Sequence, residues 1–266
     1  MKLDFKNKWV IVTGASSGLG EAFCMELAVK EGANLIMVAR RLDRLNELKK
    51  SIELNSKAKI EVISIDLTQE NEVNDLVQIL DKTYNIYAAV INAGMTVMKK
   101  HDQITGEETR KIIDLNIRST IQLTNYFISH FQKRDNNGGL LYISSLSSVF
   151  PTPFQSLYSG TKAFLNNFIL ALSQEYHQEK FSFSIYAPGG ISTEMTNSDQ
   201  IKHLEKFLKP PADCAKYAIY GFKQRKLLFS SNTSIELLLA KLLPTSLKLH
   251  VMRKLYDHKN NLPLLS

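Results

Sequence analysis

Apolar runs alternate with amphipathic segments along almost the whole chain of 266 residues. Six short runs read as buried strands: Trp9–Thr13, Asn34–Ala39, Ile60–Ile65, Ala88–Asn92, Gly139–Ser144 and Phe181–Ala187. A weaker seventh falls at Lys226–Ser230. Segments with helical spacing lie between them, near Gly18–Lys30, Leu42–Asn55, Gln69–Tyr84, Glu107–Lys133, Gln155–Gln178 and Ala212–Lys223. Strands apolar on both faces, each followed by a helix, predict a doubly wound α/β domain with a parallel sheet of about seven strands. Right-handed crossovers then place ligand contacts at the C-terminal ends of the strands. The run Asp135-Asn136-Asn137-Gly138-Gly139 is a loop before the fifth strand.

The end of the chain has a different pattern. Ile235–Leu243 is strongly apolar, Pro244 interrupts it, and Leu247–Tyr256 mixes Leu, Val and Met with Lys and Arg. Proline removes a helical hydrogen bond and clashes with the preceding turn, so two short amphipathic helices are expected in an extension spanning 234–266. Such helices cover a core or form a subunit contact. The alternative is an element facing lipid or lining an acyl-chain pocket.

Composition narrows the class. Hydrophobic residues make up 44% of the chain and charged residues 22%, as in a globular domain, and one domain accounts for the length. No apolar stretch reaches the roughly 20 residues that span a bilayer. The first strand begins almost at once, leaving no room for a signal peptide, and a cytoplasmic location is expected. Cys24 and Cys214 lie far apart and read as two reduced thiols. The histidines show no metal-ligand spacing, so no metal is expected. The net charge of +7 is unevenly placed. Residues 201–266 carry 12 Lys and Arg against 4 Asp and Glu, so the excess sits in the last quarter. A solvated basic surface explains it. Attraction of acidic substrates, or weak peripheral contact with an anionic membrane, are sharper readings. No nucleic-acid-binding module accompanies the charge.

Candidate chemistry concentrates in two places. Thr13-Gly14-Ala15-Ser16-Ser17-Gly18-Leu19-Gly20 joins the first strand to the first helix. Gly14, Gly18 and Gly20 permit a tight turn and close backbone approach to a diphosphate. The helix end beyond offers free N–H groups to an anion. Further on, Tyr158 and Lys162 are spaced to share one helical face, with Ser145 thirteen residues upstream of the tyrosine. A neighbouring ammonium is expected to lower the tyrosine pKa, and a serine hydroxyl to hold a carbonyl oxygen. Together they are equipment for moving a proton on a substrate oxygen while a hydride moves at carbon. Ser144, Ser147 and Ser148 compete with Ser145. No histidine base or G-x-S-x-G elbow supports a serine nucleophile.

The glycine loop, Asn92-Ala93-Gly94, Asn116, Ser145, Tyr158, Lys162 and Pro188-Gly189 occur in the order and rough spacing of the short-chain dehydrogenase/reductase family, which the chain resembles from about Lys8 to Thr193. The resemblance implies a Rossmann-like fold and NAD(P)-dependent transfer of hydride. It implies Asn116, Ser145, Tyr158 and Lys162 as the catalytic set, with Tyr158 as proton donor and Lys162 also holding the nicotinamide ribose. Asn116 would bend its helix and extend a proton relay through water. Gly14, Ser16, Ser17, Gly18, Leu19 and Gly20 would meet the phosphates; Asp66 and Leu67 the adenine; Asn92, Ala93 and Gly94 the adenine ribose. Asn92 would also tie neighbouring strands. Asp66 has a second reading, as N-cap of the helix after Thr68. Pro188, Gly189, Ile191 and Thr193 would surround the nicotinamide.

Ala39 stands where family members using NAD usually place an acid, and Arg40 follows. A guanidinium pairs well with a 2′-phosphate, so NADP(H) is expected over NAD(H). Ser17 stands where some relatives using NADP carry a second basic residue. Residues 194–211 read as a substrate lid, and Phe150, Pro151, Pro153 and Phe154 as an apolar substrate wall. The expected activity is an NADP(H)-dependent oxidoreductase acting on a carbonyl or secondary alcohol, with 3-oxoacyl or steroid-like compounds ranked first. The alternative is a catalytically silent dinucleotide-binding or sensing protein. Relatives commonly pair through the helices holding Asn116 and Tyr158, so a homodimer or tetramer is expected.

Overall fold

The computed structural model describes residues 2–196, 206, 208–230 and 243–257. Seven strands form one parallel sheet: β1 (Trp9–Thr13), β2 (Asn34–Ala39), β3 (Ile60–Ser64), β4 (Ile86–Ile91), β5 (Gly139–Ile143), β6 (Ser182–Tyr186) and β7 (Leu228–Phe229). Their order across the sheet is β3-β2-β1-β4-β5-β6-β7. The chain runs outward from β1 to β3 and then crosses back to β4. A crevice therefore opens between the C-terminal ends of β1 and β4, the switch point where such sheets bind ligands.

Helices α1 (Gly18–Met25), α2 (Leu42–Glu53), α3 (Glu70–Thr83), α4 (Gly106–Ile113), α5 (Ser119–Lys133), α6 (Ser156–Glu175), α7 (Pro211–Lys223) and α8 (Thr245–Asp257) surround the sheet. Strand side chains alternate between faces, which builds two cores. Val10, Val12, Leu35 and Met37 pack with Phe23 and Leu27 of the first helical segment, Leu45 and Ile52 of α2, and Ile219 and Phe222 of α7. Ile11, Ile36 and Val38 face the other way, toward Leu76 of α3, Phe127 and Phe131 of α5, and Ile169 of α6.

The expected single helix over Glu107–Lys133 is interrupted. Between α4 and α5 lies a π-helical segment, Asp114–Arg118, and Asn116 sits inside it. A second π-segment, Glu26–Lys30, continues α1. Such wide turns insert a residue without stopping the helix, so apolar periodicity passes through them with little trace. The weak seventh strand contracts to Leu228–Phe229. The expected helix over Leu247–Tyr256 lies within α8, just after Pro244. The one expected at Ile235–Leu243 falls almost wholly outside the described residues, as does most of the 194–211 lid. Among the described residues, no helix is long and apolar enough to cross a membrane. Cys24 and Cys214 are buried and form no disulfide.

One buried titratable group holds the sheet to α5. His130 is 1% exposed. Its Nε2 accepts the Ile86 N–H at 3.1 Å, at the start of β4. Its Nδ1 lies 3.0 Å from the Tyr126 hydroxyl. Nε2 must therefore be unprotonated, and Nδ1–H donates to Tyr126. Burial, reinforced by the Arg134 cation and opposed by Asp81, pushes the imidazole down to about 4. The unfolded chain takes up this proton near ~6.5, the folded chain only near 4. Stability from this group is full above the unfolded value and is lost as pH falls through that window, by roughly 3 kcal/mol in all. Urea unfolding at stepped pH is expected to show that loss, and His130→Gln to flatten it. An unchanged slope in the variant would assign the loss to other groups.

Candidate active site

The first strand ends in a tie to the fourth. Thr13 Oγ1 donates to the Val90 carbonyl at 3.4 Å and accepts the N–H groups of Asn92 and Ala93 at 3.0 and 3.1 Å. Asn92 Nδ2 returns the contact, donating to the Thr13 carbonyl at 2.9 Å. These bonds set the glycine loop against the end of β4. Gly14 has φ +67°, and a Cβ there would come 2.9 Å from Ala93 Cα. Only glycine satisfies both the left-handed backbone and the close approach.

A cleft of about 890 Å³ runs along these strand ends. The glycine loop from Gly14 to Gly20, Arg40 and Arg41, Asp66 and Leu67, and Asn92 to Gly94 line one end. Ser145, Tyr158, Lys162, Pro188, Gly189, Ile191 and Thr193 line the other. Asn116 lies behind the cleft wall and is 4% exposed.

Asp66 belongs to a local turn rather than a helix cap. Its Oδ1 accepts from the Thr68 N–H and hydroxyl, both at 2.9 Å, while Gln69 is the residue that precedes α3. Its other oxygen lies 3.7 Å from Arg40. Arg41 was not singled out by the sequence pattern, yet it is the arginine that folds back onto the glycine loop. Its Nε donates to Ser16 Oγ at 3.3 Å and its Nη1 to Glu194 at 3.0 Å. Two adjacent arginines at a strand end look alike in sequence, and backbone direction alone separates their reach.

At the other end, Ser145 leaves β5 in extended backbone and caps a short turn, its Oγ accepting the Ser147 N–H at 3.1 Å. Of the clustered serines, Ser145 is the one whose hydroxyl is near enough to Tyr158 to lower its pKa. Ser147 Oγ accepts from Ser145 Oγ at 3.1 Å, and Ser148 Oγ donates to the Ser145 carbonyl at 2.6 Å. Lys162 lies one turn beyond Tyr158 on α6, its Nζ 5.6 Å from the centre of the tyrosine ring. That ammonium donates to the Ile143 carbonyl at 2.7 Å. Burial pushes Lys162 down to about 8, so it is still cationic at neutral pH.

The expected lowering of the Tyr158 pKa is overturned. Burial raises the phenol to about 12, and the neighbouring Ser145 hydroxyl offsets only part of that. The lysine ammonium is engaged with a backbone carbonyl rather than the phenol, so desolvation of the phenolate dominates. Tyr158 is a protonated acid at neutral pH.

Asn116 is fixed by three bonds. Its Nδ2 donates to the Met95 carbonyl at 2.9 Å and Thr161 Oγ1 at 3.1 Å, and its Oδ1 accepts the Met95 N–H at 2.9 Å. A Cβ on Gly94 would lie 3.4 Å from Asn116 Oδ1 and 3.5 Å from Lys162 Nζ, so both groups crowd the same glycine.

The substrate end differs from expectation. Of the proposed apolar wall only Phe150 lines the cleft, joined by Met98, Thr152 and Gln155. Phe154 has φ +63° and gives its carbonyl to the Lys99 N–H at 2.9 Å. This left-handed turn carries Pro151, Pro153 and Phe154 away from the cleft. Helix α8 supplies what they do not: Val251, Met252 and Tyr256 line the opening. The i, i+4 spacing of Met252 and Tyr256 is visible in the sequence, but nothing there shows where the helix docks. Ile191 pairs with Lys209 in an isolated parallel bridge, which fixes the base of the expected lid.

Residues 8–203 match the family described as short chain dehydrogenase. The chain belongs to the short-chain dehydrogenase family. It is 32% identical over 220 residues to 17-beta-hydroxysteroid dehydrogenase type 3 of Rattus norvegicus, covering 80% of this chain and 70% of the relative. It is 30% identical over 198 residues to a very-long-chain 3-oxoacyl-CoA reductase of Kluyveromyces lactis, covering 72% of this chain and 57% of the relative. The fold matches a short-chain dehydrogenase from Sphingobium yanoikuyae solved in complex with NADPH, with a TM-score of 0.82, 23% identity and coverage of 95% and 98%. The chain is thus an oxidoreductase of this family, with a Rossmann-like single domain.

Proposed function

We propose that this short-chain dehydrogenase reduces the carbonyl of a hydrophobic, lipid-like substrate with NADPH, or oxidises the matching alcohol. One observation carries the reading: a buried, protonated tyrosine beside Ser145 and backed by the Lys162 cation shares a cleft with an arginine-flanked glycine loop.

The residues present fit a dinucleotide. The glycine loop offers backbone without side chains, and a Cβ on Gly18 would come 3.0 Å from Thr193 Cγ2, so the gap between loop and β6 end is already narrow. Arg40 and Arg41 would hold a 2′-phosphate, since both line the cleft and no acid follows β2. Asp66 and Leu67 would hold the adenine; Pro188, Gly189, Ile191 and Thr193 the nicotinamide; and Lys162 its ribose. The bound nicotinamide supplies or accepts the hydride. Ser145 Oγ and the Tyr158 hydroxyl bind the substrate oxygen. Tyr158 then donates its proton to that oxygen, and Lys162 stabilises the phenolate left behind. Asn116 holds the backbone at Met95 and Gly94 beside Lys162, which keeps the lysine in place. The apolar side chains of Met98, Phe150, Leu208 and Met252 exclude water from the carbon that reacts. The relatives named for hydroxysteroid and 3-oxoacyl substrates support a lipid-like carbonyl.

The test is oxidation of NADPH and NADH against steroid ketones, 3-oxoacyl thioesters, aromatic aldehydes and sugars. Turnover of the first two classes with NADPH is the expected result, and turnover confined to sugars would overturn the substrate reading. Replacing Arg40 and Arg41 together with alanine is expected to raise KM for NADPH by roughly 10–100-fold, the worth of charged hydrogen bonds, with little change for NADH. Equal losses with both nucleotides would remove the 2′-phosphate from the account.

A further inference from the structure

The substrate end of the cleft is mostly apolar, with one tyrosine hydroxyl left unpaired among the described residues. Met98, Phe150, Leu208, Val251 and Met252 line it, and Tyr256 lies among them on the cleft-facing side of α8. Lys248, Met252 and Tyr256, four residues apart, are partly buried on this helix, whereas Leu247 and Leu249 are 44% and 48% exposed. Tyr256 therefore points inward with the docked face. Other polar side chains at this end are paired: Gln155 Nε2 donates to Thr96 Oγ1 at 3.3 Å, and Thr152 Oγ1 donates to the Phe150 carbonyl at 3.1 Å. The Tyr256 hydroxyl has no hydrogen-bond partner among the described residues. Burial raises its pKa, so it stays a neutral donor and acceptor. It is also close enough to Tyr158 that its charge would be felt there.

We propose that Tyr256 is a substrate-binding residue whose hydroxyl bonds a second oxygen close to the reacting carbonyl, which selects 3-oxo esters and thioesters over simple ketones. This rests on the reductase reading above. The reacting oxygen is taken by Ser145 and Tyr158. A plain hydrocarbon arm would leave the Tyr256 hydroxyl unpaired against an apolar wall, which is unfavourable. A carbonyl oxygen near the reacting carbon satisfies it, because Tyr256 lines the same cleft as Tyr158 and lies within electrostatic reach of it. A steroid ketone carries its second oxygen at the far end of a rigid ring system and does not meet this demand.

The experiment compares wild type and Tyr256→Phe on ethyl 3-oxohexanoate and on nonan-4-one, the chain-matched ketone without the second carbonyl. KM for the oxo ester is expected to rise about tenfold in the variant, with kcat within about twofold and KM for the ketone unchanged. Calorimetric binding of the product ethyl 3-hydroxyhexanoate should weaken by the same factor, and the melting temperature should hold. Losing one hydroxyl from a partly exposed side chain leaves the fold intact, and Tyr256→Gln, which restores a hydrogen-bonding group, should recover part of the oxo-ester preference. Equal losses on both probes, or none, would overturn the proposal, as would a variant defect seen with a steroid ketone but not with the oxo ester. Wild-type turnover of nonan-4-one alone would overturn it while leaving the reductase intact. Failure of wild type on every carbonyl would remove the reductase reading, and this proposal with it.

Discussion

Tyr158→Phe is expected to lower kcat by roughly 10²–10⁴-fold, the usual worth of a positioned general acid, while NADPH affinity stays within about twofold. The substitution keeps the ring over Lys162 and removes only the hydroxyl beside Ser145. With its pKa raised to about 12, Tyr158 holds its proton throughout the neutral range, ready for the alkoxide that hydride addition creates. Single-turnover reduction under saturating NADPH is the measurement. A variant that retains a tenth of wild-type rate would move the proton-donor role to another group, and Ser145 would be examined next.

Gly20→Ala is expected to weaken NADPH binding by at least tenfold and to lower the melting temperature by several degrees. Helix propensity alone favours alanine over glycine in a first turn. Packing opposes it here: the new methyl would collide with the Gly14 carbonyl oxygen and lie 2.8 Å from Asn92 Nδ2. The obstruction is backbone, not the tip of a flexible side chain. Relief requires moving the loop at Gly14, and Gly14 is tied through Asn92 to β4. Overpacking of this kind costs about 1–3 kcal/mol, and the displaced loop is the surface proposed for the diphosphate. Fluorescence titration with NADPH and a thermal melt check both parts. Unchanged affinity beside a lowered melting temperature would mean that the dinucleotide does not lean on this turn.

The fold was legible because its main signal is coarse. Both-face burial makes strands of continuous apolar residues, and the observed strands fall within a residue or two of the runs that predict them. The cleft gathers all of the residues that the sequence pattern expects to touch cofactor. What escaped was direction. Lys162 lies four residues from Tyr158, as spacing said, but its ammonium turns to the Ile143 carbonyl, and i, i+4 geometry does not specify where a long side chain ends. The tyrosine pKa then moved opposite to expectation, because burial is a property of the whole fold. Arg41 was passed over for Arg40 for a similar reason. The π-turn around Asn116 left no mark on the apolar periodicity, although an amide between two apolar residues marked the spot. Tyr256 falls on the expected amphipathic helix, but its nearness to Tyr158, 98 residues away in sequence, is a property of the whole fold.

The parallel bridge between Ile191 and Lys209 has a consequence for how this chain can change. The Ser192 N–H donates to the Lys209 carbonyl and the Lys209 N–H to the Gly190 carbonyl, both at 3.0 Å, so the peptide leaves and returns at one clamped point. The entropy of closing a loop grows only logarithmically with its length. Sequence inserted, deleted or exchanged between the two clamped ends, beyond Thr193, is therefore expected to cost the folded domain little, while Tyr158 and the glycine loop keep their places. The clamp is a natural graft junction. Chimeras joined there are expected to fold with the sheet and the cleft beneath unchanged.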